Sequence, residues 1–224
     1  NAAVLASKLN KKIGDKISCA EGVSHSLISK VPFGIPSRFL SWRVRGILFF
    51  CDGICVERRG PYWRGFTINR IGLEKWIGKR AASCCVEFGF QNSMKDIVAK
   101  KSRNYIFIDN FDRINMIRAK YVIAADGAKS TVAKKLGLGR NEIFGNVLSW
   151  EYKDVKIFKP KFEQIFYGPF APAGYAYIFP KSKKTANVGV GTSLPQMGIK
   201  RLFNDFIQTE AVEKQLETAE KASN

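Results

Sequence analysis

Residues 121–133 have the sequence YVIAADGAKSTVA, in which an apolar run leads to Asp126 and Gly127. The β-branched and aromatic residues at 121–125 predict a strand, and residues 130–136 predict a helix. A strand that delivers an acidic residue and a glycine to the start of a helix lets a ligand approach the backbone and offers it free N–H groups. The unit predicts an α/β domain with a ligand at this turn, and an ordinary strand-to-helix turn remains the alternative.

The composition predicts a globular protein with a large positive charge. Of 224 residues, 46% are hydrophobic and 12% aromatic, and 37 Lys and Arg against 19 Asp and Glu give a net charge of +18. This charge favours phosphate-bearing partners such as dinucleotides, anionic lipid headgroups or nucleic acid. The basic residues are spread along the chain without a block long enough for a nucleic-acid tail, so no nucleic-acid partner is expected. A surface that the charges simply keep solvated is the alternative.

Neither a membrane span nor a metal site is visible in the sequence. No run of about 18 uncharged apolar residues occurs, and no signal-peptide pattern opens the sequence, so an intracellular protein is expected. The chain has a single histidine, and its cysteines lack the paired spacing of a zinc site, so no metal is expected. These residues are His25, Cys19, Cys51, Cys55, Cys84 and Cys85.

The remaining periodicity predicts a mixed α/β chain with many short strands. Asp52-Gly53 predicts the turn of a β-hairpin between the strands at residues 43–50 and 54–58. Strands are predicted at residues 43–50, 54–58, 66–69, 85–90, 105–108, 113–117, 146–152, 163–167, 174–179 and 186–192. Helices are predicted at residues 2–9, 73–85 and, in two parts, 199–220.

Residues 172–180 have the sequence PAGYAYIFP, and Gly189 and Gly191 follow. Strand alternation places the side chains of three aromatic residues on one face, where they form an apolar wall, although a plain core strand is the alternative. This string resembles the signature of geranylgeranyl reductases, Pro-x-x-Tyr-x-Trp-x-Phe-Pro followed by Gly-x-Gly, with tyrosine at the tryptophan position. The resemblance implies that the substrate contacts Tyr175, Tyr177, Phe179, Pro180, Gly189 and Gly191.

Three other segments resemble the same group of flavoproteins. Residues 121–133 resemble the Asp-Gly motif of the para-hydroxybenzoate-hydroxylase-like flavoproteins, which implies that Asp126 and Gly127 lie near the FAD pyrophosphate. Residues 19–22 resemble the Cys-x-Glu-Gly stretch of archaeal lipid-forming reductases, which implies that Cys19, Ala20 and Gly22 contact FAD.

The resemblance also implies a proton-handling role for Cys19, although a lone cysteine is more often a buried apolar residue. Residues 69–75 resemble the Arg-x-x-Phe-Glu-Lys segment, whose arginine, here Arg70, binds the cofactor, and the same register places Met94 on the adenosine side. An exposed arginine at a helix start is the ordinary alternative for Arg70.

A dinucleotide-binding flavoprotein also needs a Gly-x-Gly-x-x-Gly turn and an acidic ribose ligand about 20 residues later. Neither is present, and no late Gly-Asp segment follows Gly191. Omitted residues are therefore expected at the start, after Lys12, and before or after the terminal helix.

The resemblance implies an FAD-binding Rossmann-like domain, incomplete, joined to an antiparallel β-sheet substrate domain. Residues 1–36 and 67–140 are assigned to the FAD-binding domain, 37–66 and 141–198 to the substrate domain, and 199–224 to a C-terminal helical segment.

The implied activity is FAD-dependent saturation of geranylgeranyl double bonds in archaeal-type membrane lipids, by a cytoplasmic protein associated with an anionic membrane surface. Reduced nicotinamide or ferredoxin would supply the electrons. A related aromatic monooxygenase and a cofactor-free basic lipid-binding remnant stay open as alternatives.

Overall fold

The structure is a computed structural model that describes residues 2–5, 13, 19–110, 113–139, 143–194 and 196–222. Its helices are α1 (His25–Lys30), α2 (Arg70–Ser83), α3 (Thr131–Leu136), α4 (Ile199–Ile207) and α5 (Glu210–Leu216), and a 3₁₀ turn covers Ser37–Phe39. Its strands are β1 (Ala2–Leu5), β2 (Gly22–Ser24), β3 (Leu40–Val44), β4 (Gly46–Cys51), β5 (Ile54–Arg59), β6 (Gly65–Ile68), β7 (Val86–Gly89), β8 (Ser93–Ala99), β9 (Asn104–Asn110), β10 (Arg113–Ala119), β11 (Asn146–Lys153), β12 (Phe162–Tyr167), β13 (Gly174–Pro180), β14 (Ala186–Thr192) and β15 (Glu220–Lys221).

The chain divides into two compact units. The first unit comprises Asn1–Lys16 and Glu74–Ile143, and the second comprises Ile17–Leu73 and Phe144–Asn224. The described residues 19–36 and 67–73 lie in the second unit, whereas the sequence assigned both to the FAD-binding domain. The cofactor and substrate roles assigned to the predicted domains stay predictions.

The first unit contains a parallel pair of strands and an antiparallel meander. β1 pairs with β7 in parallel, and β8, β9 and β10 form a three-stranded sheet. Val132 of α3 packs with Ile97, Ile106 and Ile108 of the meander in a small apolar core. Ser130 caps the start of α3, and Gly137 ends it with a φ of 64°.

Two predicted elements of this unit are wrong. Residues 2–5 form a strand rather than a helix because Val86–Gly89 supplies a parallel hydrogen-bonding partner; residues 6–9 lie outside the described residues. Residues 121–125 are not a strand, and the Ile123 side chain is 89% exposed. A β-branched run forms a strand only where another strand pairs with it, and none of the described strands pairs with residues 121–125.

The second unit is built on a seven-stranded sheet. Its strand order is β15-β11-β14-β13-β12-β4-β5, and a three-stranded sheet of β2, β6 and β3 belongs to the same unit. The pairings are antiparallel except for β4 with β12, which is parallel and was not predicted. The predicted hairpin is confirmed, with positive φ values of 48° at Asp52 and 78° at Gly53 that suit a tight turn.

The large sheet has two different faces because side chains alternate along each strand. Ala176, Ile178, Val188 and Val190 point to one side and form the main core with residues of α4 and α5. The two-part C-terminal helix that the sequence predicted is present and covers this side, but it ends at Leu216 rather than at Glu220, because Glu220 of β15 pairs with Lys153 of β11. Tyr175, Tyr177 and Phe179 lie on the opposite side, which we call the aromatic face.

Candidate functional site

Residues 19–22, here called the Cys19 turn, lead directly into β2. Glu21 adopts a left-handed backbone conformation with a φ of 65°, which a non-glycine residue takes up only at some cost. Its backbone N–H donates to the Cys19 sulfur at 3.3 Å, and its carbonyl accepts from the Ile68 N–H at 3.0 Å. These bonds fix the turn against the end of β6.

Asn187 of β14 holds the Cys19 turn from the large sheet. Its Nδ2 lies 3.3 Å from the Cys19 carbonyl oxygen, 3.1 Å from the Ala20 carbonyl oxygen and 3.3 Å from Glu21 Oε2. Asn187 is cross-strand neighbour to Phe179. The turn is therefore anchored beside the aromatic face. Asn187 was not among the predicted site residues, although it is a polar residue inside an otherwise apolar and glycine-containing strand.

A chain of charges adds a second anchor. Lys181 Nζ lies 2.6 Å from Glu21 Oε2 and 2.5 Å from Glu151 Oε2, and the Arg70 backbone N–H donates to Glu21 Oε1 at 3.3 Å. The side chains of Glu21 and Lys181 are only 8% and 19% exposed. Burial opposes the charge of Lys181, but its hydrogen bonds to Glu151 and Glu21 outweigh that cost and raise the pKa of the ammonium above its ordinary value.

Arg70, the first residue of α2, brings a guanidinium to the same turn. Its Nη1 donates to the Cys19 sulfur at 3.2 Å, and the residue is exposed. Four of the predicted cofactor residues, Cys19, Ala20, Gly22 and Arg70, thus lie together in the second unit. Their contact with a cofactor stays a prediction.

The three aromatic side chains lie on one face, as the alternation predicted. The ring centroids of Tyr175 and Tyr177 are 6.3 Å apart, and those of Tyr177 and Phe179 are 4.8 Å apart. Tyr177 of β13 is buried. Its side chain crosses over Gly189 of β14 and hydrogen-bonds to Ser149 of β11, the strand beyond β14. Burial raises the pKa of Tyr177 to about 12, with the Ser149 hydrogen bond acting in the opposite direction. Ser149 is therefore the partner that this tyrosine needs where the family motif has tryptophan.

The other two predicted substrate residues have structural roles at the ends of β13 and β14. Pro180 is buried, and its carbonyl oxygen accepts a hydrogen bond of 2.7 Å from Thr67 Oγ1. Gly191 pairs with Tyr175, and its backbone closely approaches Gly174. Whether either residue contacts a substrate stays a prediction.

Gly189→Ala is expected to lower the free energy of unfolding by about 1–3 kcal/mol through overpacking. A Cβ at this position would lie 2.4 Å from Cζ and the hydroxyl oxygen of Tyr177, and the ring would have to move away from Ser149. Urea denaturation measures the loss. Gly191→Ala is the control because its Cβ would meet nothing closer than 3.4 Å, so equal losses in the two variants would contradict the packing argument.

Glu163 of β12 is a second site residue that was not predicted from the sequence. A Cβ at Gly22 would lie 2.8 Å from Glu163 Oε1 and 2.9 Å from the Phe179 ring. The absence of a side chain at Gly22 therefore lets β2 pack closely against β12 and β13. Burial raises the pKa of the Glu163 carboxyl to about 7. None of the described residues hydrogen-bonds or ion-pairs with this carboxyl. A carboxyl that titrates near neutral pH therefore lies beside the Cys19 turn.

The Asp-Gly turn of the first unit is closed by its own side chains. Asp126 accepts hydrogen bonds from the Ser130 hydroxyl and from the backbone N–H groups of Thr131 and Val132, and Ser130 Oγ accepts from the Ala133 N–H. Burial works against ionisation of Asp126, but these donors hold the pKa of its carboxyl below the ordinary value. The expectation of free N–H groups at this helix start is wrong at these three positions.

The two remaining predicted cofactor residues also lie in the first unit. Gly127 has a φ of 86°, and a side chain there would meet no neighbour within 4 Å. Met94 lies on β8 and packs against the small apolar core of this unit. Neither placement tests contact with a cofactor.

The described residues contain neither a helix that could span a membrane nor a cluster of metal-ligating side chains. No described helix is both long and apolar enough to cross a bilayer. No group of three or more His, Cys, Asp or Glu side chains in the described ranges could hold a metal ion.

Solved structures define the class of fold. The chain superposes on a geranylgeranyl bacteriochlorophyll reductase-like protein from Thermoplasma acidophilum with a TM-score of 0.79 at 24% identity, covering 95% of this chain and 56% of that one. It superposes on a flavin-dependent brominase with a TM-score of 0.75 at 14% identity, covering 99% and 60%. The mixed α/β fold is thus that of flavin-dependent oxidoreductases and halogenases, which confirms the predicted fold class.

Sequence relatives show a narrower likeness within that class. Residues 148–222 match the model of the geranylgeranyl reductase catalytic domain. The chain is 27% identical over 216 residues to a digeranylgeranylglycerophospholipid reductase from Methanococcus aeolicus, covering 94% of this chain and 54% of the relative. It is 30% identical to the enzyme of that name from Picrophilus torridus, covering 88% and 53%. These matches confirm the resemblance to the geranylgeranyl reductase family, and the chain spans about half the length of these curated relatives.

Proposed function

We propose that this protein is an FAD-dependent reductase that saturates carbon–carbon double bonds of geranylgeranyl chains in archaeal-type membrane lipids. The observation that carries the proposal is the matched segment 148–222, whose aromatic face lies beside the Cys19 turn. An apolar wall next to a polar turn suits an alkene that must meet a proton donor. The substrate that we favour is a digeranylgeranylglycerol phospholipid, as in the names of the relatives.

The residues of the second unit fit a flavin. Gly22 presents backbone without a side chain, and Arg70 offers an exposed guanidinium that suits phosphate oxygens. Cys19, Ala20, Gly22 and Arg70 would hold FAD, with Met94, Asp126 and Gly127 contributing from the first unit. The bound flavin would supply hydride to one carbon of the alkene. Because three N–H groups of the Asp126 turn already have partners, that turn would contribute through the glycine backbone rather than through those groups.

Cys19 is our candidate for the proton that the adjacent alkene carbon must gain. Its sulfur accepts from the Glu21 N–H and from Arg70, so it keeps two hydrogen-bond donors after it gives up a proton. Tyr175, Tyr177, Phe179, Pro180, Gly189 and Gly191 would line the path of the isoprenoid chain and keep water from the reacting carbons.

The same proposal includes a cytoplasmic protein that meets its lipid at an anionic membrane surface. The net charge of +18 supports this because each basic residue near such a surface contributes about 1 kcal/mol of attraction. Reduced nicotinamide and ferredoxin are the two electron donors that we consider.

Cys19→Ala is expected to lower turnover of the lipid about 100-fold, the lower end of the range for loss of a general acid. Reduction of the flavin by an added reductant should be unchanged, because the thiol takes part after that step. Stopped-flow absorbance and single-turnover lipid analysis separate the two steps. Cys84→Ala is the control, since Cys84 is exposed at the end of α2. Full turnover in Cys19→Ala would remove the thiol from the mechanism.

The test of the whole proposal is the visible spectrum of the purified protein, followed by mass analysis of lipid products after reductant is supplied. Flavin absorbance and products that gain two hydrogen atoms per double bond are expected. Oxygen consumption with a hydroxylated product would instead identify a monooxygenase, and a protein without flavin absorbance would be a lipid-binding remnant. The comparisons favour neither alternative.

A further inference from the structure

Three arginines of the second unit converge on a cleft that the proposed function does not use. Arg43 at the end of β3, Arg45 between β3 and β4, and Arg64 just before β6 line a cleft of about 330 Å³. The turn at Gly60 and Pro61 closes one side of it. All three arginines are exposed, so their guanidinium groups are available to a ligand from solvent.

The strand register brings two of these positive charges together. Arg43 pairs with Phe66 and Val44 with Gly65, so the next step of the register sets Arg45 against Arg64. Like charges directly opposite each other are destabilising unless an anion lies between them. The ion pairs found among the described residues all use other cations, so no described carboxylate neutralises this pair.

The turn between Gly60 and Arg64 carries two aromatic residues next to this charge. Tyr62 is 90% exposed and Trp63 is 38% exposed. Trp63 is held in place because its backbone N–H donates to the Gly60 carbonyl at 3.1 Å and its ring packs edge-on against the Phe49 ring, with the ring centroids 5.7 Å apart. Tyrosine and tryptophan are enriched where a protein meets the interface of a bilayer, and arginine beside them suits lipid phosphate.

We propose that Arg43, Arg45 and Arg64 bind the phosphate groups of anionic lipid headgroups while Tyr62 and Trp63 lie in the interface of the bilayer. A free phosphate would use the guanidinium groups but would leave the exposed aromatic turn without a role. This inference rests on the proposed membrane association and assigns it to one surface of the second unit.

The test measures binding to vesicles of phosphatidylglycerol and phosphatidylcholine by sedimentation. Arg45→Gln combined with Arg64→Gln is expected to weaken binding about 25-fold, since each basic residue contributes roughly fivefold. Tyr62→Ser should weaken it further. Lys183→Gln combined with Lys200→Gln removes the same charge from exposed positions outside the cleft and is expected to leave most of the binding intact. Equal urea midpoints establish that the variants are folded.

Equal losses in the cleft and control variants would overturn the assignment to this surface. Failure of the unchanged protein to bind the anionic vesicles would overturn the membrane association as well. Saturable binding of inorganic phosphate that depends on Arg45 and Arg64, with vesicle binding unaffected by their replacement, would assign the cleft to free phosphate. Because no reductant or isoprenoid substrate is used, a failed reductase assay would leave this measurement unchanged.

Discussion

Lys181→Met is expected to lower the free energy of unfolding by about 3 kcal/mol, the usual cost of removing one partner from a buried ion pair. Glu21 is 8% exposed, and without the ammonium its carboxylate would keep, among the described residues, the Asn187 amide and the Arg70 backbone N–H. Glu151 would also lose its partner, but it is 34% exposed and can be hydrated. Most of the loss is therefore expected to come from Glu21.

Urea denaturation of Lys181→Met and of the double variant with Glu21→Gln tests this account. The double variant should recover part of the stability, because neither change then leaves a buried charge without a partner. Lys184→Met is the matched control, since Lys184 is exposed in the same turn. A loss in Lys181→Met no larger than in the control would show that the charge chain does not hold the Cys19 turn.

The loss of stability in Lys181→Met should also depend on pH in a defined direction. The pKa of Lys181 in the folded protein lies above its ordinary value of 10.5, because its hydrogen bonds to Glu151 and Glu21 outweigh the cost of burial. The stability that the charge provides is fully present below pH 10.5 and is lost as the pH rises through the higher folded value. The unchanged protein and Lys181→Met should therefore approach each other in stability in strongly alkaline solution.

The local signals in the sequence predicted most of the second unit. The Asp52-Gly53 turn, the strands from 146 to 192 and the two-part terminal helix each depend on short-range chemistry, and all are present. The strand predicted at residues 121–125 was wrong because a strand also needs a pairing partner, which residue propensity does not reveal. The helix predicted at residues 2–5 was wrong for the converse reason. Val86–Gly89 supplies a strand partner that the helical spacing of residues 2–5 cannot indicate.

The residues of the candidate site were likewise predictable from the sequence only in part. The motifs assigned Cys19 and Arg70 to the cofactor domain and Tyr177 to the substrate domain, and the structure brings all three residues into one unit. The polar residue inside an apolar strand marks Asn187 in the sequence, but the roles of Asn187 and Lys181 could not be assigned because they depend on contacts across the fold. The amide of Asn187 reaches a carbonyl 168 positions away, and local periodicity carries no information about such a pair.

Glu163→Gln is expected to raise the free energy of unfolding at pH 8, in contrast to most changes of a largely buried residue. Burial raises the pKa of this carboxyl from 4.5 to about 7 in the folded protein. Folding therefore favours the protonated form, and the stability linked to that proton is fully present below pH 4.5 and lost as the pH rises through 7. The gap between the two values corresponds to a cost of about 3 kcal/mol above pH 7, which glutamine avoids.

Urea denaturation between pH 4 and pH 8 distinguishes this effect from a general change in packing. Glu163→Gln should match the unchanged protein near pH 4 and exceed it by about 2–3 kcal/mol at pH 8. Glu213→Gln, at an exposed position of α5, should change neither value by more than about 0.5 kcal/mol. If Glu163→Gln gives no gain at pH 8, the carboxylate must be hydrated or paired in solution. A gain at pH 8 without a change at pH 4 would establish that the Glu163 carboxyl beside Gly22 and Phe179 is neutral at slightly acidic pH.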